Sequence, residues 1–249
     1  MPKLVAMRAV SKVFADGTLA LDQMSLEVET GEFLSLLGPS GCGKSTALRL
    51  MAGLAEPSSG VVERPSGGGI GFVFQEPTLM PWQTVFGNVF LPLKLRGFSK
   101  AEVRERVMDG LQSVGLADFA HSYPRQLSGG MKMRVSIARA LVTRPSLLLM
   151  DEPFAALDEI TRHKLNDDLL ALWRRSGLTI VFVTHSVFES AFLSSRIVVM
   201  RPRPGRVFRE LAISQPAQRG ADYRVSESYR ADCQLVSEAL QGAISAAGN

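Results

Sequence analysis

The chain has 249 residues, 46% hydrophobic and 21% charged, with a net charge of +4, a sequence pI near 9.3 and a mean hydropathy of +0.11. That length suits one α/β domain or one and a half average domains, with a sizeable core and no need of disulfides. Its longest apolar runs, such as Leu147 to Met150 and Ile180 to Val183, are strand-sized, short of the ~18 residues a membrane span needs, so composition excludes a membrane channel, a secreted mini-protein and a disordered tail.

The start, Met1-Pro2-Lys3-Leu4-Val5, lacks the apolar core of a secretory signal, and a cytosolic chain is expected. Cys42 and Cys233 form no CxxC or metal spacing, which favours free thiols. The mild positive charge suits nucleic acid, an acidic membrane surface, a nucleotide, or no partner at all.

The first 37 residues read as β structure. Met24, Leu26 and Val28 alternate with Ser25, Glu27 and Glu29, as in a half-buried strand, and Thr30-Gly31-Glu32 turns into a further strand, Phe33 to Leu37. After Gly43, residues Lys44 to Leu54 read as a helix ending near Gly53. Ser58-Ser59-Gly60 and Ser66 to Gly69 are turn material, the glycine triplet a flexible surface loop. From Pro77 to about Arg144 the pattern becomes helical. Ser99 and Glu102 form a capping box, followed by the one-sided stripe Val103, Val107, Leu111 and Val114. Another helix follows Ser128-Gly129-Gly130 and stops before Pro145. Leu147 to Met150 and Thr179 to Val183 are nearly all apolar, as parallel strands buried on both faces are, with a helix from about Glu159 to Arg175 between them. Ser186 and Glu189 make a second capping box directly after His185. In Ala231 to Ile244, residues Cys233, Val236, Leu240 and Ile244 share one helical face.

Three segments carry chemistry. Gly38-Pro39-Ser40-Gly41-Cys42-Gly43-Lys44-Ser45-Thr46 fits G-x-x-x-x-G-K-[ST] between a strand and a helix. Its glycines let successive N–H groups turn toward phosphate oxygens, and the helix adds its positive end. Lys44 can reach the β- and γ-phosphates and the Ser45 hydroxyl suits Mg²⁺. Asp151 and Glu152 emerge at the carboxyl end of a buried strand, where open α/β sheets bind ligands. Asp151 suits Mg²⁺ through water, and Glu152 can accept a proton from an attacking water. Leu127-Ser128-Gly129-Gly130-Met131 opens a helix and offers a second anion-binding helix start.

With these three in this order, about residues 4 to 210 resemble the ATP-binding cassette (ABC) ATPases. The resemblance implies ATP held between the phosphate loop of one subunit and the Ser128-Gly129-Gly130 signature of a second copy. Phe14 fits the position that stacks on adenine, usually Tyr. Gln75, in Phe72-Val73-Phe74-Gln75-Glu76, fits the loop that senses Mg²⁺ and a transmembrane partner. Ala156-Leu157-Asp158 fits the dimer-contacting loop, and His185 the switch histidine near the γ-phosphate. His121 and His163 have no such context and read as surface or packing residues. Two positions depart from the family pattern: Met131 where many members have Gln, and Ser186 where Asp is common. The implied fold is an α/β P-loop NTPase with a RecA-like parallel-sheet core, an N-terminal antiparallel β subdomain and an inserted α-helical subdomain. Residues 1–210 would form the ATPase domain, its helical subdomain at about 76–144, and residues 211–249 a short C-terminal extension packed on the core or a dimer partner.

Met131, Met80-Pro81-Trp82-Gln83 and Met200-Arg201-Pro202-Arg203-Pro204-Gly205-Arg206-Val207 resemble the importer branch for nitrate, taurine, aliphatic sulfonates and some pyrimidine precursors. The resemblance implies ATP and Mg²⁺ as cofactors and a head-to-tail homodimer. Separate transmembrane permease subunits, a substrate-binding protein in the complex, and a place on the cytoplasmic face of the cell membrane follow from it too. A permease helix would dock near Gln75 and Trp82, although Met80 and Trp82 equally suit core packing. No nucleic acid is expected, since the alternative, a soluble ABC ATPase acting on nucleic acid or ribosomes, usually carries a coiled-coil insertion or two cassettes. A phosphate-loop small-molecule kinase would leave Gln75 and Ser128-Gly129-Gly130 unexplained. Arg196, Arg201, Arg203, Arg206 and Arg209 run without an intervening acid, as a face for acidic membrane or a solvated edge.

Overall fold

The computed structural model describes residues 3–65, 67–213 and 219–246. In chain order the elements are β1 (Lys3–Val13), β2 (Leu19–Glu29), β3 (Phe33–Leu37), α1 (Lys44–Met51), β4 (Ser59–Glu63), β5 (Ile70–Val73), α2 (Val85–Leu95) and α3 (Arg104–Ser113). They continue with α4 (Gly129–Leu141), β6 (Leu147–Asp151), α5 (Glu159–Ser176), β7 (Thr179–Thr184), α6 (Val187–Leu193), β8 (Arg196–Arg201), β9 (Arg206–Ala212), α7 (Ala221–Arg224) and α8 (Glu227–Ser245). Among the described residues no helix is long and apolar enough to cross a membrane. The chain divides into two units, Met1–Pro65 with Gly177–Asn249, and Ser66–Ser176.

In the first unit, alternation makes β1, β2 and β4 an antiparallel sheet in the order β2-β1-β4, with Met24, Leu26 and Val28 of β2 on its buried face. β3 and β7 are buried at every position, so no polar face is left, and β7, β3 and β8 pair in parallel. β9 adds an antiparallel edge to β8. On this sheet lies α8, whose Val236, Ala239 and Ala243 pack with Leu37, Ile197, Val199, Leu211 and Ile213. The buried stripe of α8 is thus rotated from the expected one: Ala243 faces the core and Ile244 is half exposed to solvent. The arginine run is bound at two points. Arg196 is bonded to Glu32 at 2.7 Å and Glu210 at 2.6 Å, and Arg206 pairs with Asp22. Those ion pairs belong to a structural edge.

In the second unit, β5 and β6 pair in parallel. Helices α2, α3 and α4 enclose a core of Val85, Phe86, Val89, Leu93, Val103, Val107, Leu111, Val135 and Ala138, with Val114 partly buried against it. The Ser99–Glu102 box forms in both directions, Glu102 Oε2 accepting Ser99 N–H at 2.7 Å and Ser99 Oγ accepting Glu102 N–H at 3.4 Å, yet regular helix starts only at Arg104. The glycine triplet, described from Gly67 onward, is held rather than loose: Ser146 donates its N–H to Gly68 O at 3.0 Å and its hydroxyl to Gly67 O at 3.1 Å.

Candidate functional site

Each unit gathers candidate residues at the carboxyl ends of adjacent parallel strands, the ligand edge of an open α/β sheet. In the first unit, Leu37 at the end of β3 lies opposite Thr184 at the end of β7. Gly38 and His185, the next residue of each chain segment, therefore leave the sheet side by side. From Gly38 the loop Pro39-Ser40-Gly41-Cys42 leads to Gly43, the N-cap of α1, at φ 89°. A side chain at Gly43 would be strained by that φ and would also lie 2.8 Å from Ala20 O. Lys44 is buried, its Nζ donating to Gly38 O at 2.7 Å and Pro39 O at 3.1 Å. An anion entering the loop meets a positive charge already in position, next to the N–H groups of the first turn of α1. Ser45 and Thr46 are half-buried in that turn, whereas Cys42 is fully buried and packs beneath the loop. Phe14 is 42% exposed. A tight turn, Phe14 N–H to Thr18 O at 2.9 Å, displays its ring, with Lys12 Nζ 5.7 Å from the ring centre. His185 is exposed between β7 and α6.

In the second unit, Val73 pairs with Met150, so Gln75 and the Asp151-Glu152 pair leave neighbouring strand ends. Gln75 is exposed and Asp151 nearly buried. Glu152 sits at φ 45°, a left-handed conformation that costs a non-glycine residue about 1–3 kcal/mol. Ser128 caps α4 by accepting Met131 N–H on Oγ at 3.3 Å, which leaves its O–H to donate outward. Ser128 and Gly129 are exposed and Gly130 is buried. A Cβ at Gly130 would approach Thr161 Cγ2 to 2.5 Å, so a larger residue there would have to displace the Thr161 side chain. Asp158 accepts Thr161 N–H at 2.9 Å, and those bonds hold its carboxyl below the usual carboxylate range.

Two supporting residues, Asn88 and Arg139, escaped sequence reasoning. Asn88 is fully buried; its Oδ1 accepts Met80 N–H at 2.7 Å and its Nδ2 donates to Met80 O at 3.2 Å and Thr84 O at 3.0 Å. It thereby holds the Met80-Pro81-Trp82-Gln83 turn, on which Trp82 is 71% exposed. Core packing is thus ruled out for Trp82, and a lone Asn in the apolar run of α2 was the available signal. Arg139 on α4 donates to Thr78 O and Pro77 O, both at 2.8 Å. Glu189, read from the sequence only as a capping-box residue, is buried.

The ABC transporter family model matches residues 21–155. The aliphatic sulfonates import ATP-binding protein of Pseudomonas syringae pv. tomato is 49% identical over 208 residues, covering 83% of this chain and 86% of that one. The nitrate import ATP-binding protein of Synechocystis is 47% identical over 204 residues, covering 80% and 77%. A dimeric ATP-binding cassette in a post-hydrolysis state, bound to ADP and Pi, superposes with a TM-score of 0.76 at 35% identity, over 86% of this chain and 100% of that one. The mixed α/β architecture agrees with that cassette, and the chain belongs to the ABC transporter family as an ATP-binding, ATP-hydrolysing cassette.

Proposed function

We propose that the chain powers an importer of a small solute of the nitrate, sulfonate, taurine or pyrimidine-precursor kind. The observation that carries this is its 47–49% identity, over about four-fifths of its length, to import ATP-binding proteins. Separate permease subunits, with a substrate-binding protein in the complex, would form the pathway, and the cassette would sit on the cytoplasmic face of the cell membrane. The Gln75 loop and exposed Trp82 on its rigid turn suit a permease helix docking in a groove. Residues 1–210 are read as the cassette, with its helical portion at about 76–144, and 211–249 as a C-terminal extension.

Catalysis here is mostly positioning and charge stabilisation. Lys44 and the N–H groups from Gly38 to Thr46 would hold the ATP phosphates, and Phe14 would stack on adenine. Among the described residues no three His, Cys, Asp or Glu cluster as a metal site. The Ser45 hydroxyl, the Asp151 carboxylate and Gln75 offer the hard oxygen donors that suit Mg²⁺ arriving with phosphates. Bound there, Mg²⁺ would neutralise charge on the β- and γ-phosphates. Glu152 would orient water and accept its proton, and His185 would face the γ-phosphate. Exposed Ser128 and Gly129, with Gly130, would complete the ATP site of a second copy in a head-to-tail dimer.

Two variants test this. Glu152→Gln is expected to slow ATP turnover by roughly 10²–10⁴ while ATP binding persists and a closed dimer accumulates. Ser128→Arg is expected to block hydrolysis with little loss of ATP binding by the monomer. Parental turnover in Glu152→Gln removes the catalytic assignment, and a silent Ser128→Arg removes the sandwich. Purification from membranes with permease subunits supports the importer; stimulation by DNA or ribosomes in their absence refutes it.

A further inference from the structure

The residues on either side of His185 are tied to one buried glutamate, Thr184 through its carboxylate and Ser186 through its backbone N–H. Glu189, in the first turn of α6, is 7% exposed, and Thr184 Oγ1 donates a hydrogen bond to its Oε2. The same Thr184 oxygen accepts the Ser186 N–H at 3.0 Å, and Ser186 Oγ accepts the Glu189 N–H at 3.2 Å. A capping box ordinarily returns the glutamate to the N-cap amide. Here that amide goes to Thr184, and the glutamate grips Thr184 in turn. The three bonds close around His185, and none of them uses the imidazole.

Both ends of this clasp have fixed supports. Thr184 is the last residue of β7 and pairs with Leu37, the residue before the phosphate loop. Helix α6 is held from the C-terminal extension: Tyr229 Oη donates to Phe188 O at 3.0 Å, and Arg219 Nη1 donates to Phe192 O at 2.8 Å and Ser194 O at 2.9 Å. A capping box needs no buried carboxylate, since the Ser99–Glu102 box forms with Glu102 exposed. Burial is costly for a charged group, and what it adds here is a hold on the strand end that carries His185.

We propose that Glu189 is a positioning residue which, through Thr184 and Ser186, sets the backbone on both sides of His185 and so presents the imidazole to the γ-phosphate in one orientation. This rests on the placement of His185 at that phosphate. Small misplacements of a catalytic group cost up to about 10²-fold in rate, so the clasp acts on kcat and leaves ATP affinity alone.

The test is a double-mutant cycle on the full-length chain, with ATP turnover as readout and Mg²⁺ present. His185→Ala is expected to lower kcat about a hundredfold. Thr184→Val, which removes only the clasping hydroxyl, is expected to lower kcat roughly tenfold with KM for ATP within about twofold. Thr184→Ser, which keeps the hydroxyl, recovers most of that loss. In the His185→Ala background Thr184→Val is expected to cost less than about twofold more, because the residue it positions is gone. An equal, tenfold loss in both backgrounds overturns the proposal in favour of a purely structural role, as does parental kcat in Thr184→Val. Parental turnover in His185→Ala alone refutes the reading of the histidine, and the clasp with it. Should Thr184→Val not fold, Glu189→Gln carries the same comparison.

Discussion

Arg139 makes a quantitative case for how the Gln75 loop is held. Its Nη1 donates to Thr78 O at 2.8 Å, and its Nη2 to Pro77 O at 2.8 Å, Thr78 Oγ1 at 3.0 Å and Ser136 Oγ at 3.3 Å. A planar fork thus spans two successive carbonyls, which an ammonium cannot do. Thr78 itself lies at φ 46°, a conformation that costs a residue with a Cβ about 1–2 kcal/mol. Hydrogen bonds from a charged donor contribute about 1.5–3 kcal/mol each, and for this partly exposed pair the lower figure applies. Arg139→Met would lose both carbonyl bonds, about 3 kcal/mol, and Arg139→Lys one of them, about 1.5 kcal/mol. The loss in the lysine variant matches the strain stored at Thr78, so the loop is expected to open locally before the fold melts. Amide exchange in a peptide spanning residues 74–80 should then accelerate about tenfold in Arg139→Lys and about a hundredfold in Arg139→Met, since about 1.4 kcal/mol is a factor of ten. Hydrogen-exchange mass spectrometry on the intact chain reads this directly, with urea unfolding run alongside. Exchange in both variants matching the parent would refute the view that this fork holds the loop.

Two further outcomes are expected of the C-terminal extension. Val236 is fully buried among Leu37, Ile197 and Val199. Val236→Ala removes two carbons worth about 0.8 kcal/mol each and leaves a cavity, for a total near 2–3 kcal/mol in urea unfolding; a change under about 0.5 kcal/mol would mean that α8 is not docked on this sheet. Burial pushes the Tyr223 phenol up to about 12, above its ordinary value near 10. The folded state therefore favours the protonated phenol, and this share of stability is complete below about pH 10 and is lost as pH rises toward 12. Parent and Tyr223→Phe should differ by less at about pH 11.5 than at about pH 9, and a constant difference in denaturant midpoint would exclude the linkage.

Motifs written in contiguous residues were legible because local backbone chemistry dictates them. The turn at Gly43, at φ 89°, favours glycine, Ser128 is a capping residue where a helix follows it, and an all-apolar Leu147 to Met150 reads as a strand buried on both faces. Patterns a residue or two out of phase were less secure. The stripe drawn for α8 included Ile244, but the helix turns Ala243 to the sheet instead, because the rotation of a helix is set by the surface it meets. Likewise, five arginines with no acid between them suited either a membrane-facing or a solvated basic edge. Folding brings Glu32 and Asp22 to two of them from far along the chain.

From the sequence alone came the α/β class, the phosphate loop, the signature helix start and the acidic strand end, since each depends on neighbours within about one helical turn. Only the tertiary structure decided that Trp82 is displayed rather than packed, that Glu152 stands in a left-handed turn, that Arg139 and Asn88 hold loops without belonging to any motif, and that the capping-box Glu189 is buried and bonded to Thr184. For Asn88 and Glu189, both buried, the physical reason is the same. A buried polar side chain must find its hydrogen-bond partners wherever the packed chain places them, and that requirement leaves no fixed spacing to read.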